Sequence, residues 1–197
     1  LQDFINKVYE EVFTSDNTQD TIDRILEMVG RKYHVSRIGL CEASPNRLQL
    51  INTAEWCAPG IEPRMHLKHI LPYAEYEDYC RQYHDRDGSF YCEDVRELET
   101  GPTDLFLKRS IISTLQTSIR VNNSIEGFIF VEECTGRHWS RDEVAALKLT
   151  TRALAAIVLR NRERDKLRQS YRMTDIILRN VNSWVYVVDA ADFSIKY

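Results

Sequence analysis

Ile111-Ile112-Ser113-Thr114-Leu115-Gln116-Thr117-Ser118-Ile119-Arg120-Val121 is followed by Asn122-Asn123-Ser124. Ile125-Glu126-Gly127-Phe128-Ile129-Phe130-Val131-Glu132-Glu133 comes next. The reading of this stretch decides the fold. The first run is rich in β-branched residues and reads as a strand. The second is the most apolar short run in the chain. Asn tolerates positive φ, so the residues between them suit a tight hairpin turn. Phe128, Ile129, Phe130 and Val131 make the second strand apolar on both faces, which places it near the centre of a sheet covered on both sides. Gly127 inside the strand pattern predicts a bulge or a close backbone approach. Thr135-Gly136-Arg137-His138-Trp139-Ser140 closes the strand. Ser140 is then a helix cap, with Glu143 at the capping-box position.

The order of parts, a hairpin and then a capped long helix, resembles the C-terminal half of a GAF domain. The resemblance runs through Gly127, Arg137, Trp139 and Ser140, which fit that family's "I-G-hydrophobic" strand and "R-x-[FW]-[ST]" turn. Ser118 departs from it, standing where many GAF domains have Pro. The N-terminal half is ordered in the same way. Leu1 to Phe13 reads as a helix with Phe4, Ile5, Val8, Tyr9 and Val12 on one stripe, and about Thr18 to Tyr33 as a second with Ile22, Ile25, Leu26 and Val29 buried. A hairpin follows, Ser36 to Glu42 and Arg47 to Trp56, turning at Ser44-Pro45-Asn46. The run from Ala54 to Pro63, AEWCAPGIEP, is similar to GAF domains of bacterial multidomain signalling proteins, especially those carrying cyclic-di-GMP synthesis or breakdown domains.

The resemblance implies an α/β fold. A central antiparallel sheet of five or six strands would carry the N- and C-terminal helices on one face and short helices and loops on the other. Short helices are expected within Leu71 to His84 and from Thr103 to Arg109, with a short strand between them from Ser89 to Glu93. The expected domains are a GAF-like sensor over residues 1–158, a helical signalling linker over 159–172, and over 173–197 a stretch that resembles the truncated opening of a PAS domain, with strands at Trp184 to Asp189 and Phe193 to Tyr197.

Composition bounds the partners. The chain has 197 residues and a formal net charge of -4, which argues against a nucleic-acid binder. No apolar run reaches membrane-spanning length and no signal peptide is evident, so no membrane contact is expected within this chain; a cytoplasmic location is expected. The chain begins at Leu1 rather than Met, so it is expected to be a piece of a longer protein. Cys41, Cys57, Cys80, Cys92 and Cys134 are an odd number at irregular spacing, which favours reduced thiols.

No catalytic motif is present, so the chain is expected not to be an enzyme: it lacks a phosphate loop, a Gly-x-Ser-x-Gly and a His-Glu-x-x-His. The signatures of diguanylate cyclases and their opposing phosphodiesterases are also absent, so any such output would lie outside this chain. His66 with His69, and Cys80 with His84, have helical spacing, and Cys57 or Cys92 could complete a zinc site. That spacing matches no zinc module, and surface or pocket-rim roles are preferred. Phytochrome-like GAF domains attach a bilin through a Cys next to a His. None of the five cysteines precedes a His, which argues against that chromophore. The cofactor, if one exists, is unknown.

The resemblance implies a small-molecule pocket between the sheet and the segment Cys57 to Leu107. Trp56, Tyr73, Tyr76, Tyr79, Tyr91, Phe128 and Phe130 are its candidate walls, and Asn52, Ser113, Thr117 and Glu132 its candidate polar groups. Leu105 and Phe106 would lie over it. Plain core packing is the alternative for each of these residues. Val144, Leu147, Thr151, Leu154 and Val158, then Leu167, Tyr171 and Leu178 in a shifted phase, form an interrupted heptad and are the candidate homodimer seam. Val181 continues that second phase. The expected function is a sensory, dimerising GAF domain of a bacterial signalling protein. The alternative is a ligand-free dimerisation scaffold that only relays signals.

Overall fold

In the computed structural model of the chain, the described residues are 2–14, 18–65, 71–98, 103–122, 124–180, 187–188 and 195–196. The chain divides into two compact units, Leu1–Leu159 and Arg160–Tyr197.

The first unit is an α/β sandwich. Helices α1 (Gln2–Thr14) and α2 (Thr18–Tyr33) lead into the hairpin β1 (Arg37–Ala43) and β2 (Gln49–Cys57). A two-residue strand β3 (Leu71–Pro72), helix α3 (Tyr73–Tyr83) and strand β4 (Ser89–Cys92) follow. A 3-10 turn at Val95–Glu97, helix α4 (Thr103–Lys108) and the hairpin β5 (Ser113–Val121) and β6 (Ser124–Glu133) complete the sheet. The strand order is β3-β2-β1-β6-β5-β4, antiparallel throughout. The expected sheet is therefore the one observed, with the Phe128–Val131 strand at its centre.

Period-two alternation gives each face its own core. Ile129 and Val131 of β6 join Ile38, Leu40 and Leu115 under α2 and α5 (Arg141–Asn180), where Ile25, Leu26, Leu147 and Leu154 pack on them. Phe128 and Phe130 turn the other way and meet Tyr76, Tyr79 and Phe106 of α3 and α4. Of the α1 stripe, Val8 is buried in the first cluster and Phe4 packs on it, while the side chains of Ile5, Tyr9 and Val12 lie outside the described residues.

Local chemistry fixes the joints. Asn122 takes a φ of 48° in the β5–β6 turn, as an Asn can. The Ser140 backbone N–H donates to Glu143 Oε2 at 2.9 Å and the Glu143 N–H donates to Ser140 Oγ at 3.2 Å, which is the reciprocal capping box. Arg137 ties the turn before it to α2, donating to the carbonyls of Tyr33 at 2.9 Å and His34 at 3.0 Å and to Glu143 at 2.8 Å.

The second unit contains the remainder of α5 and a short hairpin, β7 (Val187–Val188) with β8 (Ile195–Lys196). Most of the expected strands Trp184 to Asp189 and Phe193 to Tyr197, and Val181, lie outside the described residues.

Gly127 is required by close approach, as its position in the strand predicts. A Cβ there would collide with the backbone carbonyl of Cys41 on β1, which cannot swing aside as a side chain can. Gly127→Ala is expected to lower stability by about 1–3 kcal/mol, the range for overpacking. Urea denaturation with an unchanged m-value would measure it.

Candidate functional site

A cavity opens between the sheet and the α3–α4 layer. It is lined by Cys41, Asn52, Glu55, Arg64, Tyr76, Tyr79, Leu105, Phe106, Arg109, Ile111, Gln116, Phe128, Phe130 and Glu132, and its volume is about 40 Å³. That is room for a few waters. Its inner wall is aromatic, with Tyr76 stacked on Phe128 at a centroid distance of 4.4 Å and Tyr79 edge-on to Phe106 at 6.5 Å.

Asn52, Tyr76, Tyr79, Phe128, Phe130 and Glu132 from the sequence reading are brought together here, as are Leu105 and Phe106. Trp56, Tyr91, Ser113 and Thr117 are not. A bulge sets Cys41 opposite Asn52 but Leu40 opposite Ala54, leaving Thr53 as an extra residue in β2. Beyond it the alternation reverses. Trp56 therefore faces the helices and packs beside Gly30, and Glu55 turns into the cavity instead. Tyr91 pairs with Leu115 in register, shares its helix-side face, and stacks on Trp139 at 5.6 Å. Thr117 has the same parity as Leu115 and its hydroxyl meets that of Thr151 at 2.7 Å. Ser113 donates to the carbonyl of Glu93. Tyr73 is buried in the cavity-side core without lining the cavity, its hydroxyl donating to Ile125 O at 3.0 Å.

Residues in the loops complete the site. Arg64 and Arg109 lie outside regular elements and carry no periodic signal. Gln116 was hidden by its neighbours: it occupies the alternate parity to Leu115 and faces the cavity. The Tyr79 hydroxyl and the Gln116 side-chain carbonyl are buried with no hydrogen-bond partner among the described residues.

A charged cluster closes one end. Arg37 is 3% exposed. Its Nη1 lies 2.9 Å from Glu132 Oε2 and its Nε 3.3 Å from Glu55 Oε1, while Nη2 donates to the carbonyl of Glu62 at 2.9 Å. Arg64 Nη2 reaches Glu132 at 3.2 Å. The Arg64 and Met65 backbone N–H groups donate to Glu55 Oε2 at 2.5 and 3.1 Å. Burial pushes the Glu132 carboxyl up to about 7 and Glu55 adds to this, against the pull of Arg37 and Arg109. Burial pulls the Arg109 guanidinium down, with Glu132 opposing. Burial also drives the Cys41 thiol and the Tyr76 and Tyr79 phenols upward, so all three are neutral at pH 7.

Among the described residues no group of three or more His, Cys, Asp or Glu side chains is placed to hold a metal ion. His66 and His69 lie outside the described residues. Cys80 and His84 do meet, Sγ to Nε2 at 3.5 Å, and His84 Nδ1 lies 3.0 Å from the Gly88 carbonyl. Burial pulls that imidazole down to about 4.

The candidate dimer seam divides. Leu147, Thr151, Leu154 and Val158 are buried in the chain's own core and Val144 packs against it, which corrects their assignment to an intermolecular seam. Leu167, Tyr171 and Leu178 are exposed, together with Met173, Ile176 and Ile177. Among the described residues no helix is long and apolar enough to cross a membrane.

No protein-family profile matches the sequence, and no curated protein does. Solved structures match by shape. The phycocyanobilin-bound GAF domain of a cyanobacterial phytochrome is similar at a TM-score of 0.66 and 13% identity, over 80% of this chain and 92% of that one. The GAF domain of an Acinetobacter phosphoenolpyruvate-protein phosphotransferase is similar at 0.59 and 12%, over 82% and 94%. The chain has a GAF fold. Bacteriophytochrome RpBphP3 from R. palustris contains the same fold, at a TM-score of 0.67 and 16% identity, over 89% of this chain and 40% of its own. The bilin that the first of these carries does not fit this GAF cavity. Its volume of about 40 Å³ is far below that of a tetrapyrrole, and its one lining thiol, Cys41, is fully buried in β1.

Two outcomes follow from the cluster. Arg37→Met leaves two buried carboxylates without their main partner and is expected to lose about 3–5 kcal/mol. Adding Glu132→Gln should recover part of that loss, a non-additivity read from a double-mutant cycle. The raised Glu132 carboxyl contributes stability that is present at low pH and lost as pH rises through about 7. Glu132→Gln is therefore expected to flatten the fall in melting temperature between about pH 5 and pH 8, measured by calorimetry.

Proposed function

We propose that this chain is a sensory or regulatory small-molecule-binding domain of a bacterial signal-transduction protein. Its catalytic output, of the cyclic-di-GMP-related kind, lies outside the chain, and the chain itself is not an enzyme. The observation that carries the reading is the cavity on the α3–α4 face, whose lining holds the Tyr79 hydroxyl and the Gln116 carbonyl without partners among the described residues. Buried polar atoms in folded proteins are paired with protein or ordered water almost everywhere, and a polar guest in the cavity would pair these two. The GAF domain of the cyanobacterial phytochrome neighbour holds its phycocyanobilin, and that supports a ligand-binding role for a shared fold, with a different and smaller guest.

The signal would leave through α5, which is continuous from the ligand-domain core to Asn180. Leu167, Tyr171, Met173, Ile176, Ile177 and Leu178 are exposed on this helix, and exposed apolar surface of this kind marks interaction sites. A second copy of this helix is the proposed partner, and a guest that changes how Tyr76, Tyr79 and Phe106 pack would bias that pairing. The exposed apolar residues, with so small a cavity, also favour the alternative of a ligand-free dimerisation scaffold in a cytoplasmic protein.

Native mass spectrometry of freshly purified protein separates these readings. The expected result is a dimer carrying a small adduct. Ile111→Phe, which fills the cavity, should lose the adduct and keep the dimer. Leu167→Glu with Tyr171→Glu should lose the dimer and keep the adduct. A dimer that never carries or accepts a small molecule would establish the scaffold, and a monomer at all concentrations would overturn the pairing.

A further inference from the structure

The ring-lined cavity does not end at Arg64 and Arg109. The same two residues also line an outer groove of about 340 Å³, together with Arg37, Gly60, Ile61, Glu62, Pro63, Lys108, Ser110 and Cys134. One compartment is small and walled by rings, and the adjoining one is larger and cationic. The groove carries Arg37, Arg64, Lys108 and Arg109 against Glu62 alone. Resting on the ligand-pocket reading, we propose that the ligand is a small organic anion. Its acidic head sits among Arg64, Lys108 and Arg109, and its short apolar body reaches between Tyr79, Phe106 and Phe130.

The charges at the junction favour this chemistry over a neutral or cationic guest. Glu55 and Glu132, on the inner wall, are already held. Arg37 binds both, the Arg64 and Met65 N–H groups hold Glu55, and Arg64 reaches Glu132. Arg37 is consumed by that duty and by the Glu62 carbonyl. Arg37, Arg64, Lys108 and Arg109 line the two compartments against Glu55, Glu62 and Glu132, so the cations outnumber the carboxylates. A guanidinium in a partly desolvated place gains most from a carboxylate, whose two oxygens match its fork. A cationic guest would instead meet Arg64, Lys108 and Arg109. The inner volume of about 40 Å³ limits the buried part of the ligand to a few heavy atoms unless α3 and α4 yield. The Tyr79 hydroxyl and Gln116 side chain then offer hydrogen bonds deeper in.

The test uses three matched probes observed by fluorine NMR on the full chain: 4,4,4-trifluorobutyrate, its amide, and 4,4,4-trifluorobutylamine. The butyrate is expected to bind about tenfold more tightly than the amide, as one charge-assisted pair provides, and the amine most weakly. Arg109→Met should erase the preference of acid over amide. Arg109→Lys should restore part of it, and Lys108→Gln, at an exposed position, should weaken it without touching the core. Ile111→Phe should remove binding of all probes. Equal binding of acid and amide would overturn the anion proposal and leave the pocket reading standing. Tighter binding of the amine, or acid binding that survives Ile111→Phe, would also overturn it. Binding of none of the three at millimolar concentration would overturn the proposal and the pocket reading together.

Discussion

Arg37 is the constraint on which the rest of the first unit depends. It stands at the start of β1, the strand flanked by β2 and β6, and its guanidinium bonds a carboxylate from each neighbour, Glu55 and Glu132. A buried charge must find partners, since removing an ion from water is worth several kcal/mol against folding. Only one register of the three central strands supplies both carboxylates. A slip by one residue would carry them to the opposite face, among the aliphatic side chains under α2 and α5. The hydrophobic pattern makes the sheet favourable; the ion cluster makes its register unique at this end.

The same cluster links packing to the site. The carboxylates that satisfy Arg37 also form the inner wall of the cavity, and Glu55 organises the loop that carries Arg64 by accepting two of its backbone N–H groups. Arg64 is thereby fixed between the ring-lined interior and the basic groove. Arg109 is half-buried and Glu132 buried, which places their charges in a region where a guest's charge acts strongly. The helix face of the sheet does the opposite work. It is closed by Ile25, Leu26, Leu147 and Leu154 with neutral hydroxyl contacts such as Thr117 to Thr151, and so it is packed as core.

Much of the fold was legible in the chain. The run Phe128 to Val131, apolar on both faces, assigned a central strand, Asn122 marked its turn, and Ser140 with Glu143 marked the start of α5. Within the candidate site, aromatic residues at Tyr76, Tyr79, Phe128 and Phe130 could be named. Trp56 could not be placed, because a single bulge at Thr53 reverses parity and leaves no local signature in sequence. Ser113 and Thr117 were chosen for their polarity, although they share the parity of Leu115; Gln116, between them, is the residue that reaches the cavity. The heptad in Val144 to Val158 was genuine as a periodicity, but a periodic stripe does not say whether it faces a second chain or its own sheet.

By itself the sequence determined what depends on neighbours in the chain: which runs are strands or helices, where they turn, and how they are capped. Those are settled by backbone preferences and by side-chain spacing within a few residues. Tertiary structure alone decided which face each strand presents beyond its bulge, which loop arginines meet, and that Arg37 finds Glu132 across a separation of 95 positions. Such pairings depend on strand order and register, which only the closed sheet defines, and the energy of a buried charge depends on the surroundings that closure creates.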